Sequence, residues 1–182
     1  MTAPSMYEAI MGASFQRLPT AVQAFHRLKG KHVLHGQVRT EAPVTFLARL
    51  LARSLGSPLS PSEGPIRFEL DAHPDHEVWV RHFPTKTMMS RLSLYRGGLT
   101  ESLGLTRLDF DLEAANDRLV ISLKRLHFLG VPCPAWAMPM VVAEEEGRDG
   151  NVHFNVRASL PIIGLVAGYR GYLVIEAGGP TP

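Results

Sequence analysis

The sequence predicts an α+β protein that is mainly antiparallel β, with a meandering sheet curled into a lipocalin-like barrel or half-barrel and two or three helices, mostly N-terminal. Short segments that alternate apolar and polar residues follow one another from residue 77 onward, with the period of β-strands. Turn sequences such as Gly97-Gly98 and Asn116-Asp117 separate these segments. Few segments follow the strand–helix–strand pattern of parallel sheets. Curling the sheet would remove its exposed edges.

Chain length and composition indicate one domain. The 182 residues are 45% hydrophobic and 20% charged, which is enough apolar material for one substantial core. We expect a single domain over 1–182, with helices at about 5–30 and 44–56 and a β-rich body over 31–42 and 65–177.

Charge and cysteine content restrict the function classes. The 19 Lys+Arg and 17 Asp+Glu residues give a net charge of +2, too small an excess to indicate a nucleic-acid-binding face. The single cysteine excludes an intramolecular disulfide and a multi-cysteine metal site. No run approaches the roughly 18 apolar residues of a membrane-spanning helix, and residues 1–12 lack a basic leader. We therefore expect a cytoplasmic protein with no transmembrane segment and no nucleic-acid partner.

The spacing of a capping box occurs twice near the N-terminus. Ser5 with Glu8 predicts a first helix, and Thr20 with Gln23 predicts a second. The second helix should end near Gly30, because glycine is favoured just beyond a helix C-terminus.

A strand and a loop are predicted on either side of residues 44–56. A first strand is predicted over 31–41, with Gly36 marking a bulge. Residues 57–65, which are rich in Ser, Pro and Gly, are expected to form a mobile loop.

The strongest helical signal lies within 44–56. Apolar residues recur there at helical spacing and predict a buried stripe that comprises Leu47, Leu50, Leu51, Ser54 and Leu55. We favour a helix packed across the sheet. The alternative is a helix that lies on a membrane or an anionic partner, but its two arginines are too few to favour that interpretation.

Two further strands are predicted in the C-terminal half. The strand over 118–128 begins with an apolar face that turns polar at Arg125 and His127. The last strand is expected over about 165–176.

Several polar residues are given no functional role. His26, inside the second helix, is expected at the surface or half-buried. His73 and His76 lie beside Asp71 and Asp75, but we expect a solvated turn and no metal site, because metal ligands need rigid outer-shell support.

Residues 129–139 carry three prolines and are predicted to form a lid or plug across one end of the sheet. Cys133 lies in this segment without a motif that pairs its thiol with a base, which argues against nucleophilic catalysis. The acidic run 144–146 is interpreted as a solvated face.

Glu101 is the candidate catalytic residue. Strand alternation places it on one face with Leu99 and Leu103, where apolar groups point. A carboxyl group held away from water and from cations binds its proton more tightly and can act as an acid or base near neutral pH. The competing interpretation is a structural ion pair with Arg81 or Arg170.

Five residues are candidate ligand-binding residues: Trp79, Arg81, Phe83, Tyr169 and Arg170. The first three share one face of a strand, and Arg81 there can also stack between aromatic rings. Arg170 lies on the face opposite Tyr169, between glycines that indicate close approach of a ligand's anionic group or of a neighbouring strand.

Six segments occur in a characteristic order: FQRLPTAVQAFH at 15–26, FLARLLARSLGSP at 46–58, VWVRHF at 78–83, SRLSLYRGGLTESLG at 90–104, LHFLGVPCP at 126–134 and SLPIIGLVAGYRGYL at 159–173. In these segments and their order the chain resembles a bacterial family of domains of unknown function, number 4166. Members are often fused to NAD(P)-binding short-chain-dehydrogenase-like or saccharopine-dehydrogenase-like domains. The resemblance therefore implies work on, or beside, a small organic molecule handled by such a partner, and it brings no catalytic residues.

Three functions stay open at this point. The first is a small-molecule binding domain that holds an apolar ligand in a barrel cavity, its polar end oriented by Glu101 and an arginine. The second is a cofactor-independent isomerase or cyclase that uses Glu101 as acid or base. The third is a non-catalytic partner domain of an NAD(P)-dependent oxidoreductase. No cofactor or metal is expected of the chain itself, which has no Gly-rich phosphate loop.

Overall fold

Antiparallel pairing closes the sheet into a barrel. The computed structural model describes residues 3–175. Its helices are α1 Met6–Met11, α2 Thr20–His26 and α3 Phe46–Ser54, with 3-10 turns at Gly12–Arg17 and Ala135–Ala137. Its strands are β1 Gly30–Glu41, β2 Ser62–Ala72, β3 His76–His82, β4 Thr87–Tyr95, β5 Gly98–Leu103, β6 Thr106–Ala115, β7 Arg118–Phe128, β8 Val131–Pro132, β9 Met140–Arg148, β10 Asn151–Leu160 and β11 Gly164–Leu173.

The order around the barrel is β6-β5-β4-β3-β2-β1-β11-β10-β9-β7, and pairing of β6 with β7 closes the ring. Every pairing is antiparallel, and the two-residue β8 extends the end of β7. The predicted class, a mainly antiparallel barrel with helices mostly at the N-terminus, is confirmed, and the barrel is closed rather than half-open.

Two-residue turns join several strands. Asn116 and Asp117 both have positive φ, 50° and 56°, as a type I′ hairpin turn requires. The other predicted turn is shifted by one residue: Arg96 and Gly97 occupy it, with φ of 50° and 78°, and Gly98 already belongs to β5. Strands β4 and β5 therefore pair Tyr95 with Gly98 next to the turn, one residue earlier in the chain than a Gly97-Gly98 turn would require.

A bulge keeps the inner face of β7 apolar. The register of β7 against β6 shifts at Lys124, so the strand accommodates one extra residue there. The expected change to a polar face is therefore wrong. Beyond the bulge, Leu126 and Phe128 face the interior, while Arg125 and His127 face outward.

The N-terminal helices close one end of the barrel. The capping box of α1 is present as predicted: Glu8 N–H donates to Ser5 Oγ (3.2 Å), and Ser5 N–H donates to the Glu8 carboxylate (2.9 Å). Apolar side chains of this segment are buried against the strands: Met6, Met11, Phe15, Leu18, Val22 and Phe25.

The start and end of α2 differ from the prediction. Thr20 is the first helical residue after Pro19, and its side chain caps nothing. Gln23 donates instead to the Leu18 carbonyl at 2.7 Å. The helix ends at His26 and not near Gly30 as predicted. Gly30 is instead the first residue of β1, with a φ of 77°.

Two strand boundaries also differ. The predicted loop 57–65 is shorter than expected, because β2 begins at Ser62, which pairs with Thr40 of β1. The last strand ends at Leu173, and residues 176–177 of the predicted β-rich body lie outside the described residues.

Helix α3 spans the opposite end of the barrel. Ala48 and Ala52 pack against Val166 at the start of β11. The Ser54 carbonyl lies against Gly104 in the β5–β6 turn, where a methyl group would overlap it. Strands β11 and β5 stand on opposite sides of the ring, so α3 crosses the opening. Within residues 3–175, no helix is both long and apolar enough to traverse a bilayer.

The predicted buried stripe of α3 is only partly correct. Leu51 and Leu55 turn toward the barrel, but Leu47 and Leu50 are exposed. The two alanines form the contact face instead, because their small side chains permit close approach to the strand beneath.

Glycines allow β1 and β11 to approach closely. A methyl group at Gly36 would overlap the Tyr172 carbonyl oxygen, and one at Gly171 would overlap the Gln37 carbonyl oxygen. The register is regular at Gly36, so the predicted bulge is absent and contact with the neighbouring strand explains the glycine.

We predict that Gly36→Ala destabilises the protein by about 1–3 kcal/mol or more, because overpacking displaces backbone. The urea midpoint of unfolding measures the effect. Gly98→Ala is the matched control, since its added methyl would lie 3.7 Å from the nearest heavy atom. Equal midpoints for the two variants would contradict the close-approach explanation.

Candidate functional site

The barrel encloses a cavity of about 310 Å³ between the N-terminal helices and α3. Its wall is predominantly apolar and comes from strands all around the ring. Representative side chains are Leu92, Leu99, Leu108, Ile121, Ala143 and Val156.

Polar groups concentrate within this apolar interior. We call them the inner polar cluster: Tyr7, His26, Glu77, Arg81, Glu101 and Glu145. They come from α1, α2, β3, β5 and β9, so no short stretch of sequence contains the cluster.

Arg81 and Glu101 form an ion pair on the cavity wall. Their side chains are 8% and 15% exposed, and Arg81 Nη2 lies 3.6 Å from Glu101 Oε1. The guanidinium also donates to Ser90 Oγ at 3.0 Å and lies 4.8 Å from the Trp79 ring centroid. Ion pairing and stacking on an aromatic ring together stabilise this buried cation.

Glu77 lies on the same face of β3, two residues before Trp79. Trp79 Nε1 donates to Glu77 Oε2 at 2.7 Å. Burial raises the pKa of the Glu77 carboxyl, while the nearby His26 and the Trp79 hydrogen bond act in the opposite direction.

His26 and Glu145 are joined across 119 residues of sequence. His26 Nε2 lies 2.7 Å from Glu145 Oε2, and both residues are buried. The Tyr7 ring stacks on the imidazole with centroids 3.6 Å apart. Among residues 3–175, neither the Tyr7 hydroxyl nor His26 Nδ1 has a hydrogen-bond partner. Buried polar atoms without partners are rare in proteins, so the Tyr7 hydroxyl is an exception within this interior.

Two buried phenols line the cavity, Tyr7 and Tyr169. Burial raises the pKa of Tyr7 well above its ordinary value, and the neighbouring carboxylates add to this. Burial also raises the pKa of Tyr169, opposed by Arg81. Both side chains are therefore neutral hydroxyl groups at physiological pH.

The sequence-predicted residues are only partly brought together. Glu101, Trp79, Arg81 and Tyr169 all line the cavity. Phe83 is buried beside it, with its ring centroid 5.2 Å from that of Tyr169.

Arg170 lies outside the barrel. Its side chain is exposed, because strand alternation turns it away from the interior when Tyr169 faces inward. It therefore cannot contact a molecule in the cavity, and Arg81 alone of the two candidates pairs with Glu101. The flanking Gly168 and Gly171 approach β1, so the neighbouring strand explains them.

Sequence reasoning missed four members of the cluster, one of which is Tyr7 on the buried side of α1. His26 is buried rather than surface or half-buried, and it shares a helix face with Val22 and Phe25, which was the available signal. In the run expected to be a solvated face, Glu145 points inward while its two neighbours pair with Arg118 outside, as strand alternation dictates. Alternation likewise places Glu77 with Trp79.

Residues 129–139, predicted as a lid or plug, contribute side chains to the wall of the cavity. Cys133, Ala137 and Pro139 line it, as do Leu51 and Leu55 of the α3 segment. The Cys133 thiol donates to the Ala137 carbonyl at 3.3 Å, and no base contacts it in the described part of the chain.

The turn His73–His76 carries its own surface contacts. Its two imidazole rings stack with centroids 4.5 Å apart and pair with Asp71 and Asp75 at 3.1 and 2.8 Å. Within residues 3–175, no three His, Cys, Asp or Glu side chains gather as metal ligands would.

The fold and interior define a closed antiparallel β-barrel with a polar cluster inside an apolar cavity. The chain belongs to the family described as Domain of unknown function (DUF4166), whose model matches residues 18–173. Among solved structures, the chain is similar to Rv2717c from M. tuberculosis, with 11% identity, a TM-score of 0.46, and coverage of 88% of this chain and 99% of that chain. No curated protein matches the chain.

We predict that Glu77→Gln stabilises the protein at pH 7. The raised pKa means that the folded protein holds this proton more tightly than the unfolded chain, whose carboxyl titrates near 4.5. Stability is therefore lost as the pH rises from about 4.5 through the folded-state pKa. The carboxamide still accepts the Trp79 hydrogen bond and has no charge to bury.

Urea unfolding at several pH values measures this effect. The stability advantage of Glu77→Gln should disappear as the pH falls below about 4.5. There the Glu77 carboxyl of the parent protein becomes protonated in the unfolded chain as well as in the folded protein. Glu63→Gln, at a carboxylate exposed on the surface, is the control and should change little. A Glu77→Gln variant less stable than the parent at pH 7 would contradict the assignment.

Proposed function

We propose that the protein binds a small, predominantly apolar molecule in its barrel, with a polar end group held by Arg81, Glu101 and Tyr7. The observation that carries this proposal is the Tyr7 hydroxyl, which lines the cavity, is buried and has no partner among residues 3–175. A bound molecule with a hydrogen-bonding end group would satisfy it.

The size and lining of the interior support this proposal. Small-molecule sites typically measure about 300–1,000 Å³ and combine apolar walls with a few polar groups. A cavity of about 310 Å³ lies at the lower end of that range. The ligand is therefore small, with an apolar body that displaces water from aliphatic side chains.

The charges of the site favour a neutral end group over a carboxylate. Arg81 already has Glu101 as its counter-charge. Glu145 also lines the cavity, so an added anion would meet two carboxyl groups and one guanidinium. A hydroxyl or carbonyl group accepts from Arg81 or Tyr7 without adding charge, and a hydroxyl can also donate to Glu101.

Proton transfer by Glu101 and association with an NAD(P)-dependent oxidoreductase both stay predictions. Glu101 would lie next to the polar end group of a bound molecule whether the protein only binds that molecule or also transfers a proton to or from it. The same site therefore suits binding and chemistry. Its contact with Arg81 suits the orientation of a polar group, and binding is the function that the geometry supports best.

We predict that Val156→Phe weakens binding of the neutral fluorophore 1-aminoanthracene at least about tenfold, because the larger ring occupies the cavity. Fluorescence titration measures the dissociation constant. Val33→Phe, the same substitution on the exposed outer wall, is the control and should leave binding unchanged. If the two folded variants lost affinity for 1-aminoanthracene equally, or both kept it, the fluorophore would not be binding inside the barrel.

We predict that 1-decanol displaces this fluorophore at lower concentration than decanoate does, and that Glu101→Gln narrows or reverses the preference. Removing one carboxylate leaves the Arg81 charge free to pair with the added anion. Competition titrations at pH 7.5 compare the two ligands on both proteins. A parent protein that prefers decanoate, or a variant with unchanged preference, would exclude the neutral-end-group assignment.

A further inference from the structure

We propose that the α3 end of the barrel docks on a membrane surface that contains anionic lipids. The two arginines of α3 by themselves do not favour a membrane helix, but the other connections at this end add a third cation and further exposed apolar side chains. We define the α3 end as the five connections at the mouth of the cavity: 42–61, 83–86, 104–105, 129–139 and 161–163. This inference concerns the outer surface and stands independently of what the cavity binds.

Large apolar side chains project from this end. Loops normally carry polar turn residues, but four of these five connections expose bulky apolar groups. Phe46 and Trp136 are 84% and 82% exposed, and Leu50, Leu105, Leu129 and Ile162 are also exposed. Apolar clusters of this kind on a protein surface mark sites of interaction.

The charge of the α3 end is entirely positive. Its five connections contain Arg49, Arg53 and Lys86 and no Asp or Glu. The connections at the other end are mixed in charge: 73–75, 116–117 and 149–150 each contain an aspartate, 96–97 contains Arg96, and the N-terminal segment carries Glu8 together with Arg17, Arg27 and Lys29. An end that combines cations with apolar groups and has no acidic residue in its connections suits the negative surface of an anionic bilayer, which attracts nearby Lys and Arg side chains.

The acidic residues nearest this end do not cancel its charge. Glu41 and Glu63 lie on the strands just below the connections. Each is near an arginine: Glu41 is 3.5 Å from Arg157, and Glu63 is 3.9 Å from Arg39.

The outer face of helix α3 combines apolar and cationic side chains. Ala48 and Ala52 pack inward on the barrel, while Phe46, Leu50 and the two arginines of the helix face outward. With α3 in the membrane plane, the apolar side chains would enter lipid while the long arginine side chains extend so that their charges stay among the headgroups. Because α3 crosses the mouth, docking would bring the cavity opening against the lipid.

The same charges disfavour a second copy of the chain as the occupant. Two α3 ends facing each other would bring six cations together without an acidic partner from any of these connections. The apolar groups also stand on separate connections, so each can enter lipid without a matching pocket opposite.

The test is sedimentation of the purified full chain with vesicles of phosphatidylcholine alone or with 30% phosphatidylglycerol. We expect binding to the anionic vesicles, weakened when NaCl rises from 0.05 to 0.5 M because salt screens the cations. The chain has two tryptophans, Trp79 and Trp136, and Trp79 is buried. A blue shift of the tryptophan fluorescence on vesicle binding, and its quenching by brominated lipid, therefore report on Trp136. Trp136→Phe should abolish both signals.

Variants locate the docking surface. Phe46→Ser/Leu50→Ser should weaken partitioning at least about tenfold, since each loses apolar burial in lipid. Arg49→Gln/Arg53→Gln should lower the partition coefficient onto anionic vesicles about fivefold for each charge removed. It should leave partitioning onto neutral vesicles unchanged. Met89→Ser, at an exposed apolar residue on the barrel wall, is the control and should bind like the parent.

Three results would overturn this proposal. They are no sedimentation with either vesicle, sedimentation unaffected by Phe46→Ser/Leu50→Ser, and a concentration-dependent dimer that this variant abolishes while no vesicle binds. Val156→Phe separates the two proposals, because it should lose 1-aminoanthracene binding and keep vesicle binding.

Discussion

Pairing of β6 with β7 closes the barrel, and the other features of the fold follow from this closure. It gives each strand of the ten-membered ring two hydrogen-bonded neighbours, so no barrel edge stays open within residues 3–175. Once the ring is closed, strand alternation divides every residue between an inner and an outer wall. The bulge at Lys124 restores that division where β7 would otherwise turn charged groups inward.

The interior tolerates charge because each buried carboxyl group and the buried guanidinium have a partner. Arg81 has Glu101 and an aromatic ring, Glu145 has His26, and Glu77 accepts from Trp79. Burying such groups costs stability unless pairing compensates, and paired groups are held in fixed positions. The result is a rigid polar cluster inside an apolar wall, an arrangement suited to orienting one end of a small molecule.

The two ends of the barrel have different chemical character. The N-terminal helices fill one end with aromatic and aliphatic side chains, and the Tyr7–His26 stack extends from them to the cavity. At the other end a single helix crosses the opening, with small alanines inward and bulky apolar groups outward. The mouth of the cavity and the exposed apolar side chains therefore lie at the same end.

Turns, caps and strand alternation are local properties, so the amino-acid order alone predicts the antiparallel class, the capping box of α1 and the face of Glu101. The same local patterns allow either Arg81 or Arg170 as the partner of Glu101. Barrel closure selects Arg81 and also joins His26 to Glu145, because it brings together residues that are far apart in the sequence, 119 positions in the second case. Local patterns describe which face a residue occupies, but what lies opposite that face depends on how the ring closes.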